Sequence, residues 1–163
     1  MPTRARRLRR PSAVFAKEAR APAHPEQLDL TDALAQALVR RANEEAERHD
    51  RRAAEDLFEQ GTLLNEIAQL TFDEASVAAL FVEGPLAALE RMRLARATTR
   101  LLAGVYGLER CRLGLELLEH FGLKSFDQLE AVDLPVARAD GRPARFPATR
   151  ELLAQALAVL GRS

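Results

Sequence analysis

The chain has 163 residues, 47% of them apolar and only 5% aromatic, and its 24 Lys and Arg balance its 24 Asp and Glu. That is enough to bury one core of ordinary size, but a disulfide-stapled domain is excluded because Cys111 is the only cysteine. No run approaches the roughly 18 uninterrupted apolar residues of a membrane span. The basic start 1–10 has only residues 12–16 after it before Lys17, too short for a secretory leader, so the expected compartment is the cytoplasm.

The neutral total hides three blocks. Residues 1–20 carry six Arg and Lys17 against Glu18, residues 21–90 carry five Arg against fifteen acids, and residues 91–163 carry twelve bases against eight acids, a balance of +6, −10 and +4. Segregation of this kind predicts electrically distinct faces, which bear on partners and association rate rather than on chemistry.

Residues 1–28 hold Pro2, Pro11, Pro22 and Pro25 among Arg clusters and few large apolar groups, so they read as a disordered basic tail ahead of a single helical domain at 29–163. Thr31 is the expected N-cap of a first helix, with Asp32 in its first turn. Leu34, Leu38, Ala42, Ala46, Ala53 and Leu57 form its stripe. Gly61 is expected to bend or end it, and Leu63, Leu64, Ile67 and Leu70 restart an apolar face. Thr71 is the expected cap of a helix beginning near Phe72 and stopping near Gly84.

Pro85 suits the first position of the next helix. Its stripe runs through Leu86, Leu89, Leu94, Ala97, Leu101, Val105, Leu108, Cys111, Leu115 and Leu118 as far as Phe121. A straight helix of that length would be about 54 Å long, against a radius of gyration of about 15 Å for a compact domain of this size. A bend or break near Gly104 to Gly107 is therefore expected. Gly122 is a natural C-cap, and Ser125 with Gln128 is a capping box for a short helix closed by Pro135. Asp140 and Gly141 then predict a small hairpin at 136–146, which Pro143 limits to an edge ribbon or a plain loop. Pro147 opens a last helix, with Leu152, Leu153, Ala156, Leu157 and Leu160 on one face and Gly161 at its end. The expected fold class is all-α, an irregular bundle of about five or six helices.

Arg4, Arg6, Arg7, Arg9 and Arg10 are five charges with no acid among residues 1–12, a pattern that binds phosphate backbones through counterion release. Ser12, after Arg9, Arg10 and Pro11, is a candidate phosphorylation site for a basophilic kinase. Arg93, Arg96 and Arg100 lie within about 60° on one helix face, placed for nucleic acid or for pairing with acids such as Glu44, Glu45, Glu55, Asp56 and Glu59. Gly104, Gly107, Cys111 and Gly114 form a row of small residues, a face for helix packing or for a partner.

No enzyme signature emerges. Glu45 with His49 and Glu116 with His120 have a spacing of four, not the three of a di-iron helix motif, and neither a phosphate-cradling glycine loop nor a nucleophile elbow is present. No metal, cofactor or small-molecule substrate is implied.

The stretch 117–129, with Phe121, Gly122, Leu123, Lys124, Ser125 and Phe126, is similar to the end of the winged-helix region of bacterial segregation and condensation protein B. The stretch from Gly141, Arg142 and Pro143 to Thr149, Arg150, Glu151 and Leu152 resembles the wing that precedes it in that family. The two pieces come here in the opposite order, so the resemblance carries no function across; it points only toward a chromosome-associated or complex-assembling partner. The residues themselves point to a non-enzymatic protein-protein interaction or adaptor module that binds a partner, or a second copy of itself, through the small-residue and Arg face around Arg93 to Gly114 or through the acidic helix at 32–60. The alternative is a nucleic-acid-binding accessory protein using the basic arm and the Arg face.

Overall fold

The computed structural model describes residues 25–161, with side chains from 32 onward, and the fold is all-α. The expected tail 1–28 therefore lies outside the described residues except for its last four, which are helical. Seven helices run through the described residues: α1 (Pro25–Thr71), α2 (Glu74–Ala79), α3 (Pro85–Ala97), α4 (Arg100–Tyr106), α5 (Leu108–Phe121), α6 (Phe126–Glu130) and α7 (Arg150–Leu160). The chain divides into two units, 1–42 and 43–163. In the first, the described residues are the opening turns of α1, with Leu34, Leu38 and Val39 exposed. Everything below concerns the second.

Two expectations for the first helix are corrected. It starts at Pro25, a residue preorganised for a first helical position, so Thr31 sits within it rather than capping it. It also does not end at Gly61 but continues to Thr71. The missing side chain there lets α3 approach: a Cβ at Gly61 would collide with the Arg91 carbonyl. The helix ends at Thr71, whose hydroxyl donates to the Ile67 carbonyl at 3.0 Å. Phe72 turns the chain with φ 56°. Asp73, not Thr71, then caps α2 by accepting the Ser76 N–H at 3.0 Å.

The long stripe from Pro85 breaks twice, which raises the helix count above the five or six expected. One break is the anticipated one, at Gly107 (φ 80°). The other is at Thr98 and Thr99, two β-branched residues in extended backbone, where the Thr99 hydroxyl accepts the Leu102 N–H at 3.3 Å. Leu94, Ala97, Cys111, Leu115 and Leu118 of the stripe are buried, whereas Leu86, Leu101 and Val105 are exposed.

Gly122 closes α5 in the left-handed region (φ 66°), with the Leu123 N–H donating to the Leu118 carbonyl at 2.8 Å. Ser125 caps α6 as the capping box predicts, and the Gln128 Oε1 accepts the Lys124 N–H at 2.8 Å. The helix stops at Glu130, ahead of Pro135. Residues 134–144 form a hydrogen-bonded ribbon around Gly141 (φ 78°), held by Leu134 N–H to Ala144 O, Ala144 N–H to Val136 O and Arg138 N–H to Arg142 O, each 2.8 Å. Pro147 does not open α7: Thr149 caps it, accepting the Leu152 N–H at 3.4 Å.

Two cores result. The larger joins Ala54 of α1 to α3, α4, α5, α6, the ribbon and α7, around Tyr106, Phe126 and Phe146. The Phe146 ring lies 5.0 Å from that of Tyr106 and 4.8 Å from that of Phe126. The smaller holds Leu64 and Ala68 of α1, Val77 and Ala78 of α2, and Ala88 and Met92 of α3.

Candidate interaction surface

Arg4, Arg6, Arg7, Arg9, Arg10 and Ser12 lie outside the described residues. The three helix arginines are each held by a carboxylate of the same chain. Arg93 meets Glu119 at 3.1 Å and donates to the Leu115 carbonyl at 3.3 Å. Arg96 grips both oxygens of Glu74 at 3.1 and 3.3 Å. Arg100 meets Glu59 at 2.8 Å and Glu55 at 3.6 Å. Arg93, Arg96 and Arg100 therefore reach toward three different elements, α5, α2 and α1, instead of forming one uncompensated basic face.

The small-residue row packs helices, as its spacing predicts, but its neighbours belong to the same chain. A Cβ at Gly104 would run into the Glu55 carboxylate of α1, and one at Gly107 into that of Asp50. Asp50 also accepts the first-turn Glu109 N–H of α5 at 3.3 Å. Cys111 is fully buried, and burial, with the Asp50 charge adding, pushes its thiol up to about 12. A Cβ at Gly114 would come within 2.9 Å of both the Phe126 and Phe146 rings. Gly104, Gly107, Cys111 and Gly114 are thus filled from within and do not present a surface to another molecule.

Among the described residues no three of His, Cys, Asp and Glu gather to hold a metal ion, and no helix is long and apolar enough to cross a membrane. One open cleft of about 620 Å³ is lined by Arg138, Arg142, Arg145, Phe146, Pro147 and Leu152. Arg145 there is paired with Asp133 at 2.6 Å, while the guanidinium groups of Arg138 and Arg142 have no carboxylate partner among the described residues, the Asp140 carboxylate accepting only the Arg142 backbone N–H at 3.1 Å. A second, of about 640 Å³, is lined by His49, Asp50, Tyr106, Glu109, Arg110 and Arg150 among others. Its Glu109 is bound to Arg150.

The features that sequence reasoning missed cluster on the smaller core. Arg91 is only 5% exposed. Its Nε donates to Gln60 at 2.6 Å, Nη1 to the Ala87 carbonyl at 2.9 Å and Nη2 to Glu83 at 2.5 Å, and its guanidinium lies 4.8 Å from the Phe81 ring centroid. A charge taken this far from water is tolerated because each nitrogen of the fork donates to an acceptor, one of them a carboxylate. It ties α1 to α3 and to the connection before α3.

Outside that small core the surface is unusually apolar. Leu70, Phe72, Leu80, Val82 and Leu86 are 81 to 95% exposed, and Leu63 and Ile67 are 59 and 47% exposed. Leu63, Ile67 and Leu70, at steps of four and three, form one line along α1. Leu80 and Val82 flank the end of α2, and Leu86 is in the first turn of α3. These helices and the connections between them turn seven large apolar side chains outward, while the smaller core buries only Leu64, Val77 and Met92 of comparable size. Beside the line, Asp73 is held below the usual carboxylate range by the Ser76 hydroxyl and then its N–H. No family model matches the chain, and no curated protein or solved structure is similar to it.

Proposed function

We propose that the chain is a non-enzymatic interaction module whose partner-binding surface is the outer side of α1's last turns, α2 and the start of α3. The observation that carries this reading is Phe72. Its backbone adopts φ 56° and its ring is 95% exposed. A bulky residue in the left-handed region costs about 1–2 kcal/mol relative to glycine, and a ring in water returns nothing to folding. Leu70, two residues before it, and Leu80 and Val82, beyond α2, are 81 to 93% exposed as well, and exposed large apolar side chains in such number mark contact sites. The test compares the full chain with a Leu70→Ser/Phe72→Asn variant by light scattering and by affinity capture with identification of what is bound. Capture or self-association that the variant loses supports the reading. A chain that stays monomeric and captures nothing, or captures the same set after substitution, refutes it.

A second reading, as a nucleic-acid-binding accessory protein, draws on Arg138 and Arg142 at the ribbon cleft together with the arm 1–12. It calls for binding to duplex DNA that weakens steeply with salt and that falls on removal of residues 1–12 or on Arg138→Ala/Arg142→Ala. No retention at low salt ends it.

A further inference from the structure

From Ala53 to Glu90 the chain contains no Lys, Arg or His, but eight acids. That base-free stretch is the one that carries Leu63, Ile67, Leu70, Phe72, Leu80, Val82 and Leu86. Of its acids, Glu55, Glu59, Glu74, Glu83 and Glu90 are neutralised by Arg100, Arg96, Arg91 and Arg112. The other three, Asp56, Glu66 and Asp73, have no cationic partner among the described residues. Glu66 stands four residues before Leu70 on α1, and Asp73 follows Phe72, so both border the exposed apolar line.

We infer that the occupant of this face is a basic amphipathic helix: an apolar stripe laid against Leu63, Ile67, Leu70 and Phe72, with Lys or Arg on its flanks reaching Glu66 and Asp73. The inference rests on the interaction reading above and adds the chemistry of the partner. Charge complementarity selects this occupant over the others that an apolar face admits. Two copies pairing through the same face would bring Glu66 and Asp73 of each against their equals, and like charges juxtaposed at an interface oppose association. An anionic bilayer surface or a nucleic acid is repelled by the same two acids. A helix fits a line of side chains at steps of four and three, because its own anchors recur at i, i+3, i+4 and i+7.

The experiment uses the full chain and two synthetic helical peptides of roughly 18 residues, about five turns. They share one leucine stripe and differ only in lysine or glutamate at the flanking positions, and binding is read by fluorescence anisotropy. The lysine peptide is expected to bind at least about tenfold more tightly than the glutamate peptide, with the margin shrinking at about 1 M salt as charges are screened. Leu70→Ser/Phe72→Asn should abolish binding with the fold retained by circular dichroism. Glu66→Gln/Asp73→Asn should reduce the margin while leaving the apolar contact, since Asn still caps α2. Equal binding of both peptides, a margin untouched by Glu66→Gln/Asp73→Asn, or a dimer that forms through Leu70 and Phe72 overturns the inference. If capture of a natural partner depends on Leu70 and Phe72 while neither peptide binds, the interaction reading survives and the basic-helix inference falls.

Discussion

At the scale of single residues, two side-chain choices oppose what intrinsic propensity would select, and each opposition has a local cause. Gly61 lies inside a continuous helix, where alanine is ordinarily better by about 1 kcal/mol. Here Gly61→Ala is expected to destabilise by about 1–3 kcal/mol, the usual cost of overpacking, because its Cβ would meet the rigid carbonyl of Arg91 rather than a movable side-chain tip. Urea unfolding measures it, and a stabilised variant would mean that α1 and α3 are not in contact there. Phe72 is the reverse case. Asparagine tolerates the left-handed backbone better, and the exposed ring has no native contact to lose, so Phe72→Asn should raise stability by about 1 kcal/mol. A thermal melt checks the sign. Gain of stability with loss of binding would be the mark of a residue kept for contact.

At the scale of elements, helix ends written in local chemistry are legible and those set by tertiary contact are not. Pro85, Gly122 and the Ser125/Gln128 pair place the start of α3, the end of α5 and the start of α6 where the residues say they should be. Replacing Ser125 by alanine is expected to cost about 1 kcal/mol, seen as a lower urea midpoint with an unchanged slope; no effect would mean that Gln128 alone organises that turn. Gly61 misleads because a glycine that ends a helix and one that admits a neighbouring helix look alike in sequence. The break at Thr98 and Thr99 is hidden because the apolar spacing continues from Leu94 to Leu101 across it. The candidate surface is illegible for a related reason. Leu63, Ile67 and Leu70 have the periodicity of a core stripe, and only the packing of Leu64 and Ala68 on their flank shows which line of α1 was buried. The spacing of the arginines on α3 and α4 is compatible with either an open or a paired state. Arg100 does find Glu55 and Glu59 on α1, but Glu119 and Glu74, which take Arg93 and Arg96, lie on elements whose placement only the tertiary structure supplies.

At the scale of the whole molecule, the pairs that join the acidic and basic blocks, apart from the one made by the buried Arg91, lie at the surface, half in water, and such pairs contribute about 0–1 kcal/mol each. Stability should depend more on two protonated groups inside the larger core. The Cys111 thiol is pushed up from 9.0 to about 12 by burial. The Tyr106 hydroxyl is pushed above its ordinary 10.0 by burial and then by its 2.7 Å hydrogen bond to Glu130. Both keep their protons in the folded chain at a pH where the unfolded chain has lost them. The native state then binds more protons, and stability falls as pH rises. Their contribution is complete below about 9 and is expected to drain away from there toward 12 and beyond. Urea midpoints across that range should decline, and Cys111→Ala with Tyr106→Phe should flatten the slope. An unchanged slope would mean that neither group stays protonated in the fold.

The run without a basic residue also governs how the molecule is cut and labelled. Trypsin has no bond to cleave between Arg52 and Arg91, so complete digestion releases nearly the entire contact face as one long peptide starting at Ala53. Lys17 and Lys124 are the only lysines, which leaves amine-reactive crosslinkers blind to a neighbour seated there. Carbodiimide coupling through Glu66 or Asp73 is the chemistry that would record one.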